Sequence, residues 1–93
     1  MEQYVYIVEC RDHSLYTGWT THLQERIEAH NRGRGAKYTR SRLPVELVYR
    51  EAVPDRSAAL RREAAIKRMD RRAKLALIAA GPPGASAGAG AEK

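Results

Sequence analysis

The sequence predicts an α+β domain with three strands and three helices in the order β-β-α-β-α-α. Two β-rich segments lie close together near the N-terminus, and a third follows a helical segment and a basic loop. Strands joined by a short turn and by helical connections are typical of α+β proteins rather than of a doubly wound sheet. A length of 93 residues allows one compact domain with one modest core.

The first two predicted strands span residues 4–10 and 15–20, where β-branched and aromatic residues predominate around a polar turn. If the connection contains three or five residues, paired positions sum to 24, and Tyr6 and Tyr16 share one face of the hairpin. A connection of four residues would place the two tyrosines on opposite faces. The sequence leaves both registers open.

The first predicted helix begins after Thr21, a candidate N-cap with Gln24 at the capping-box position. Leu23 and Ile27 form its apolar stripe, and the helix is expected to end near Asn31. Residues 32–44 contain glycine and basic residues without a helical or strand period, which indicates a loop.

The third predicted strand spans residues 45–53 and is followed by two helices. Asp55 is the expected N-cap of the first, which covers residues 58–68. The second runs from residue 70 or 71 to 80, with Leu75 and Ile78 facing inward. We therefore expect a folded domain at residues 1–80 and a disordered, dispensable Gly/Pro/Ala-rich tail at residues 81–93.

The charge balance favours a polyanionic partner, because 17 Lys and Arg residues against 11 Asp and Glu residues give a net charge of +6. Cys10 is the single cysteine, which excludes an intramolecular disulfide and a CxxC metal site. No apolar run approaches the length of a membrane span, and no export signal is recognisable. These features predict a cytoplasmic protein that does not bind membranes.

Glu63 is a candidate ligand for a divalent cation, since it interrupts the inward face predicted for Ala59, Leu60 and Ile66. The plainer interpretation is a glutamate at the margin of the stripe. Arg26 and His30 are four residues apart on the first helix, so both could meet one phosphate. Taken alone, this pair is more often solvated or bound to Glu.

Tyrosine is used without any phenylalanine in this chain, and Tyr6 and Tyr16 lie on one hairpin. A phenol can pack in a core and can also bind or deprotonate a water molecule. Two basic segments suit a nucleic-acid backbone, and Tyr38 could stack on an unpaired base. The plainer interpretation of these segments is two solvated surfaces. The first segment comprises Arg32, Arg34, Lys37, Tyr38, Arg40 and Arg42, and the second comprises Arg61, Arg62, Lys67, Arg68, Arg71, Arg72 and Lys74.

Together these residues resemble the GIY-YIG nuclease superfamily, and most closely its small stand-alone bacterial branch, the YhbQ-like proteins. The resemblance spans about residues 3–80. It lies in Tyr4-Val5-Tyr6, Tyr16-Thr17-Gly18, Arg26, His30-Asn31 and Glu63. The sequence departs from the family in having Tyr4 for the first glycine, Trp19 where some members have Lys, and Asn31 as its one asparagine, without the late asparagine of many members.

The resemblance implies a three-stranded antiparallel sheet flanked by helices and one Mg²⁺ or Mn²⁺ ion held by Glu63. Tyr16 would activate the attacking water, and Tyr6 would help to position it. Arg26 would stabilise the developing charge, and His30 would assist proton transfer or bind phosphate. Lys37 or Lys67 would add positive charge.

The leading hypothesis is therefore a metal-dependent endonuclease or exonuclease of low sequence specificity. DNA is the favoured substrate, in repair or turnover, and a protein partner is one possible source of specificity. The alternatives are a nucleic-acid-binding module of the same fold with weak or no catalysis, and a small protein-binding adaptor.

Overall fold

The computed structural model describes residues 2–81 and contains three strands and four helices. The strands are β1 (Gln3–Glu9), β2 (Leu15–Thr20) and β3 (Glu46–Val53). The helices are α1 (Leu23–Asn31), α2 (Lys37–Arg40), α3 (Arg56–Lys67) and α4 (Arg71–Ala80). The predicted α+β class is confirmed. The predicted tail comprises residues 81–93, of which residues 82–93 lie outside the described residues.

The strands form one antiparallel sheet in the order β2-β1-β3, so β1 is central. In the β1–β2 hairpin Tyr6 pairs with Gly18 and Val8 pairs with Tyr16. Of the two registers that the sequence leaves open, the structure thus has the one in which paired positions sum to 24. Tyr6 and Tyr16 therefore share a face of the sheet, since side chains alternate along each strand.

Each face of the sheet has its own apolar core. On one face, buried side chains of β1 and β3 pack against Ala59 and Ile66 of α3, with Leu77 and Ile78 of α4 beside them. On the other face, the smaller core includes Tyr6 and is covered by α1 and by the chain that precedes β3. Its members are Tyr6, Val8, Cys10 and Val45, with Tyr16, Leu23, Ile27, Leu43 and Leu47 packed against them.

Of the two helix caps that the sequence predicts, the one at Asp55 is present and the one at Thr21 is not, and Asp70 provides a further cap. The Asp55 carboxylate accepts a hydrogen bond from the Ala58 N–H, and the Asp70 carboxylate accepts one from the Ala73 N–H. The prediction of a capping box at Thr21 is wrong, because α1 begins after His22 and has no side-chain cap. The Thr21 hydroxyl instead contacts the His22 ring, at 2.8 Å.

Three further sequence predictions need correction. The predicted loop at residues 32–44 contains the four-residue helix α2. Leu75 and Leu60 were expected to face inward, but they are 44% and 42% exposed. Helix α3 buries only Ala59 and Ile66, and α4 buries no residue completely, so neither leucine lies in the core. Within residues 2–81, no helix is both long enough and apolar enough to cross a lipid bilayer.

Candidate active site

Arg26 and His30 of α1 reach the face of the sheet that carries Tyr6 and Tyr16. The Tyr6 hydroxyl lies 2.9 Å from His30 Nε2. Arg26 Nε donates a longer hydrogen bond of 3.4 Å to the same hydroxyl. The structure therefore brings together Tyr6, Arg26 and His30 around one phenolic oxygen.

Thr39 of α2 completes this group and fixes the tautomer of His30. The Thr39 hydroxyl donates to the Ala36 carbonyl at 2.9 Å, so it must accept at its 2.9 Å contact with His30 Nδ1. Nδ1 then carries the proton, and Nε2 is free to accept the hydrogen of the Tyr6 hydroxyl. The result is a directed chain of hydrogen bonds from Arg26 through Tyr6 and His30 to Thr39.

Burial favours the neutral forms of both central groups. His30 is fully buried, and burial, followed by the charge of Arg26, lowers the pKa of its imidazole below 6.5. Burial also raises the pKa of the Tyr6 phenol, against the hydrogen bond and charge of Arg26. Tyr6 is therefore a protonated phenol that donates to a neutral imidazole at neutral pH.

His30 is not placed to bind a phosphate together with Arg26. Its ring is fully buried, and both of its nitrogens have protein partners. Of the two roles that the resemblance implies for His30, this geometry suits proton transfer and not direct phosphate binding.

Two glycines make room for these rings. A Cβ atom on Gly18 would lie 2.6 Å from the Tyr6 hydroxyl oxygen, and one on Gly35 would overlap His30 Nδ1. Gly35 lies in the basic loop, and its lack of a side chain leaves space for the His30 ring. Sequence reasoning missed Thr39 and Gly35 because nothing in a basic loop indicates which of its residues contacts a distant histidine.

Tyr16 lies beside this chain of hydrogen bonds, in contact with rings and a cation. Its ring packs edge-on against His30, with centroids 5.5 Å apart, and stacks on Tyr38 at 6.0 Å. Lys67 Nζ lies 5.9 Å from the centre of the Tyr16 ring. Within residues 2–81 the Tyr16 hydroxyl has no hydrogen-bond partner, and it is not a buried unpaired atom. Solvent can therefore reach this phenol.

Glu63 lies on α3, which packs against β1 and the edge strand β2. Its side chain is 19% exposed and lies 3.5 Å from Lys67 Nζ, one helical turn away. The charge of Glu63 contributes to the raised pKa of Tyr6, after the larger effect of burial. The charge of Glu63 therefore acts on Tyr6, although α3 packs on the opposite face of the sheet.

The donor set fits a hard cation that keeps most of its water. No group of three or more His, Cys, Asp and Glu side chains within residues 2–81 could hold a metal ion by itself. Mg²⁺ is commonly held by one or two carboxylates together with waters and substrate phosphates. Glu63, as a partly exposed carboxylate whose charge acts on the Tyr6 phenol, matches that kind of site.

The cations of the basic segment at residues 32–42 form two groups, those that pair with a carboxylate and those that do not. Arg42 donates to an Asp12 carboxylate oxygen at 3.1 Å and packs 4.0 Å over the Tyr38 ring, while Arg32 lies 3.8 Å from Glu28. In the described part of the chain no ion pair involves the remaining exposed cations, which are Arg34, Lys37 and Arg40.

The structure shows the surroundings of Trp19 and Asn31, two of the residues named above as departures from the family pattern. Trp19 pairs with Val5 and so lies on the face away from Tyr16, while Lys67 provides a positive charge beside Tyr16 from α3. The Asn31 side chain bonds both backbone polar groups of Val45, with its amide donating at 3.1 Å and its oxygen accepting at 2.7 Å. Asn31 therefore joins α1 to the start of β3.

Comparison with protein families identifies residues 2–76 as a GIY-YIG catalytic domain. A UPF0213 protein of Staphylococcus haemolyticus is 54% identical over 77 residues, which cover 83% of this chain and 94% of the relative. A UPF0213 protein of Haloquadratum walsbyi is 56% identical over 78 residues, which cover 84% of this chain and 88% of the relative.

Two solved structures share the fold. The solution NMR structure of a UPF0213 protein from Bacillus halodurans has 48% identity and a TM-score of 0.56, covering 85% of this chain and 84% of that one. The NMR structure of a protein from E. faecalis has 37% identity and a TM-score of 0.56, covering 82% of each chain. The protein therefore belongs to the GIY-YIG nuclease family, among relatives called UPF0213 proteins.

Proposed function

We propose that this protein hydrolyses phosphodiester bonds of DNA, with little sequence specificity and with Mg²⁺ or Mn²⁺ as cofactor. Members of this family generally depend on a divalent metal. The observation that carries the proposal is the hydrogen-bond chain from Arg26 to Thr39, next to an accessible tyrosine and a carboxylate. Phosphodiester hydrolysis needs a positioned water, a cation for the developing charge and a site for metal.

Tyr16 is the group best suited to bind the attacking water, because its hydroxyl is accessible and unpaired within the described chain. Lys67 Nζ, 5.9 Å from the centre of the Tyr16 ring, would place a positive charge close to this water. The hydrogen of the Tyr6 hydroxyl already points to His30, so the role of Tyr6 is to position the groups around it. Its oxygen can pass a proton to His30 Nε2 while it takes one from the water side.

Arg26 would bind the scissile phosphate and stabilise the charge that develops on it. Its Nε is committed to Tyr6, which leaves the two terminal nitrogens of the guanidinium for phosphate oxygens. Glu63 would hold the metal, which supplies Lewis-acid stabilisation of the phosphate when bound. Arg34, Lys37 and Arg40 would bind the flanking backbone.

Strand cleavage by the purified protein tests this proposal. Labelled single-stranded, duplex and branched DNA, with matched RNA, are incubated with Mg²⁺, Mn²⁺ or EDTA. Glu63→Gln and Tyr16→Phe should each lower kcat by about a hundredfold or more while leaving affinity for the substrate largely unchanged. Glu46→Gln and Tyr4→Phe, which make the same changes away from these contacts, should retain activity.

Equal cleavage by all four variants would indicate a contaminating nuclease and would contradict the proposal. Salt-sensitive binding without cleavage under any metal would favour the alternative, a nucleic-acid-binding module of this fold. Cleavage of RNA in preference to DNA would keep the chemistry and correct the substrate.

A further inference from the structure

Three side chains join α3 to β3 on the face of the sheet opposite Tyr6. Arg62 Nε donates to both oxygens of the Glu51 carboxylate, at 3.0 Å each. The Tyr49 hydroxyl donates to the same carboxylate. The Glu51 side chain is 11% exposed and that of Arg62 is 29% exposed. A carboxylate this far from water is stable only because all of these partners are present.

Arg62 and Glu63 lie on opposite flanks of the buried stripe of α3. At 3.6 residues per turn, Arg62 projects about 40° to one side of Ile66 and Glu63 about 60° to the other. Arg62 therefore points towards β3, and Glu63 points towards β2 and the site. This agrees with the sheet order, in which β2 and β3 are the two edges.

The apolar contacts of α3 do not define its rotation sharply. Ala59 and Ile66 are fully buried, but hydrophobic contacts are non-directional. Hydrogen bonds from a guanidinium to a carboxylate have a preferred geometry. The contact of Arg62 with Glu51 is the directional one that resists rolling of α3 over the sheet.

We propose that Glu51, Arg62 and Tyr49 form a positioning clamp that sets the rotation of α3 and thereby places the Glu63 carboxylate at the site. The inference rests on the proposed function, because Glu63 is the group that would hold the metal. A helix with its side chains has a radius of about 5–6 Å, so a rotation of about 10° moves the carboxylate by about 1 Å. Displacements of that size can cost about a hundredfold in rate.

The test compares Glu51→Gln and Arg62→Met with Glu46→Gln, the same change as Glu51→Gln made at the exposed start of β3. Among the described residues the Glu46 side chain makes no hydrogen bond or ion pair. Both clamp variants should lower kcat by about tenfold to a hundredfold, with a change of less than about threefold in KM for DNA. Glu46→Gln should leave kcat near the wild-type value. The Glu51→Gln/Arg62→Met double variant should be no slower than the more impaired single variant, since both act through one contact.

A second readout does not depend on turnover. Mn²⁺ broadens backbone amide NMR signals near its binding site, and in the wild-type protein the signals around Glu63 should broaden first. In the clamp variants this broadening should need a severalfold higher Mn²⁺ concentration, at a temperature where circular dichroism shows them folded. If Arg62→Met does not fold, Glu51→Gln decides the matter, because it keeps the shape of the side chain.

The outcomes separate the two proposals. Wild-type kcat and Mn²⁺ broadening in a folded Glu51→Gln protein, with loss of activity in Glu63→Gln, would overturn the clamp and keep the nuclease. A lower melting temperature with unchanged kcat and Mn²⁺ response would show that Glu51 and Arg62 only stabilise the fold, and would also overturn the clamp. A wild-type protein that neither cleaves nor binds Mn²⁺ would overturn both.

Discussion

Thr17 and Thr39 are both buried threonines, but their hydroxyls have opposite surroundings. Thr39 is fully buried and bonds to His30 and Ala36. Thr17 is 3% exposed, and its hydroxyl has no partner within residues 2–81. A buried polar group without a partner costs about 1–3 kcal/mol, whereas removal of a satisfied one leaves its partners unpaired.

The same substitution should therefore change stability in opposite directions at these two residues. Thr17→Val should raise the free energy of unfolding by about 1 kcal/mol, because it removes an unsatisfied hydroxyl with little change of shape. Thr39→Val should lower it by about 1–3 kcal/mol and should also reduce activity, because His30 loses its anchor. Urea unfolding measures both. A Thr17→Val protein that is less stable than the wild type would show that the hydroxyl has a partner in solution.

His30 should make the stability of the fold depend on pH near neutrality. Its pKa lies below 6.5 in the folded protein, and 6.5 is the ordinary value that applies to the unfolded chain. At a pH between the folded and the unfolded pKa, the unfolded chain therefore binds a proton that the folded chain does not. The free energy of unfolding should then fall as the pH drops through 6.5, by at most about 1.4 kcal/mol per pH unit. Urea unfolding at a series of pH values from about 8 to about 5 measures this slope.

The matched variants for this pH effect are His30→Gln and His22→Gln. Replacement of His30 should flatten the slope, whereas replacement of the exposed His22 should leave it unchanged. Activity should fall over the same range if the imidazole must be neutral to accept the Tyr6 hydrogen. An equal slope in the His30→Gln protein would assign the pH effect to other groups.

At the scale of elements, local chemistry predicted the three strands and the helix cap at Asp55. Asp55 acts through a bond to a backbone group three residues away, which the sequence displays directly. Asp70 caps α4 in the same way. Helix α2 was missed because four residues are too few to show a helical period. The position of α2 depends on tertiary contacts, in which Tyr38 lies against Tyr16 and Thr39 against His30.

The assembly of the site was less predictable than its members. Arg26 and His30 share a helix, so their proximity followed from spacing, whereas their contact with Tyr6 required the hairpin register. That register depends on the length of a turn, which the sequence left between two values. Leu75 was misplaced because apolar periodicity does not show how deeply a helix at the edge of a domain is covered.

At the scale of the whole molecule, the proposed site lies where the two faces of the sheet meet at the β2 edge. The hydrogen-bonded group of Tyr6 and His30 belongs to the α1 face, and Glu63 with Lys67 comes from α3 on the other. Cations of the 32–42 segment lie on the α1 side, and those of α3 and α4 on the other. A nucleic acid bound at the edge would therefore meet positive charge from both sides, which agrees with the net charge of +6.

Salt dependence of binding can show which of these cations contact phosphate. Each phosphate contact contributes about 0.9 to the slope of log K against log salt for duplex DNA, and about 0.7 for single strands. Arg34→Ala, Lys37→Ala and Arg40→Ala should each reduce the slope by about that amount, because these side chains are exposed and without ion pairs in the described chain. The measurement uses a Glu63→Gln background, so that the DNA stays intact.

Arg42 provides the contrast that makes this prediction specific to structure rather than to composition. Asp12 already neutralises its charge at 3.1 Å, so Arg42→Ala should change the slope much less than Arg34→Ala does. Asp12→Ala should free the guanidinium and steepen the slope. If all the arginines of the segment contributed equally, the ion pair with Asp12 would have to open when DNA binds, and the whole segment would act as one diffuse positive surface.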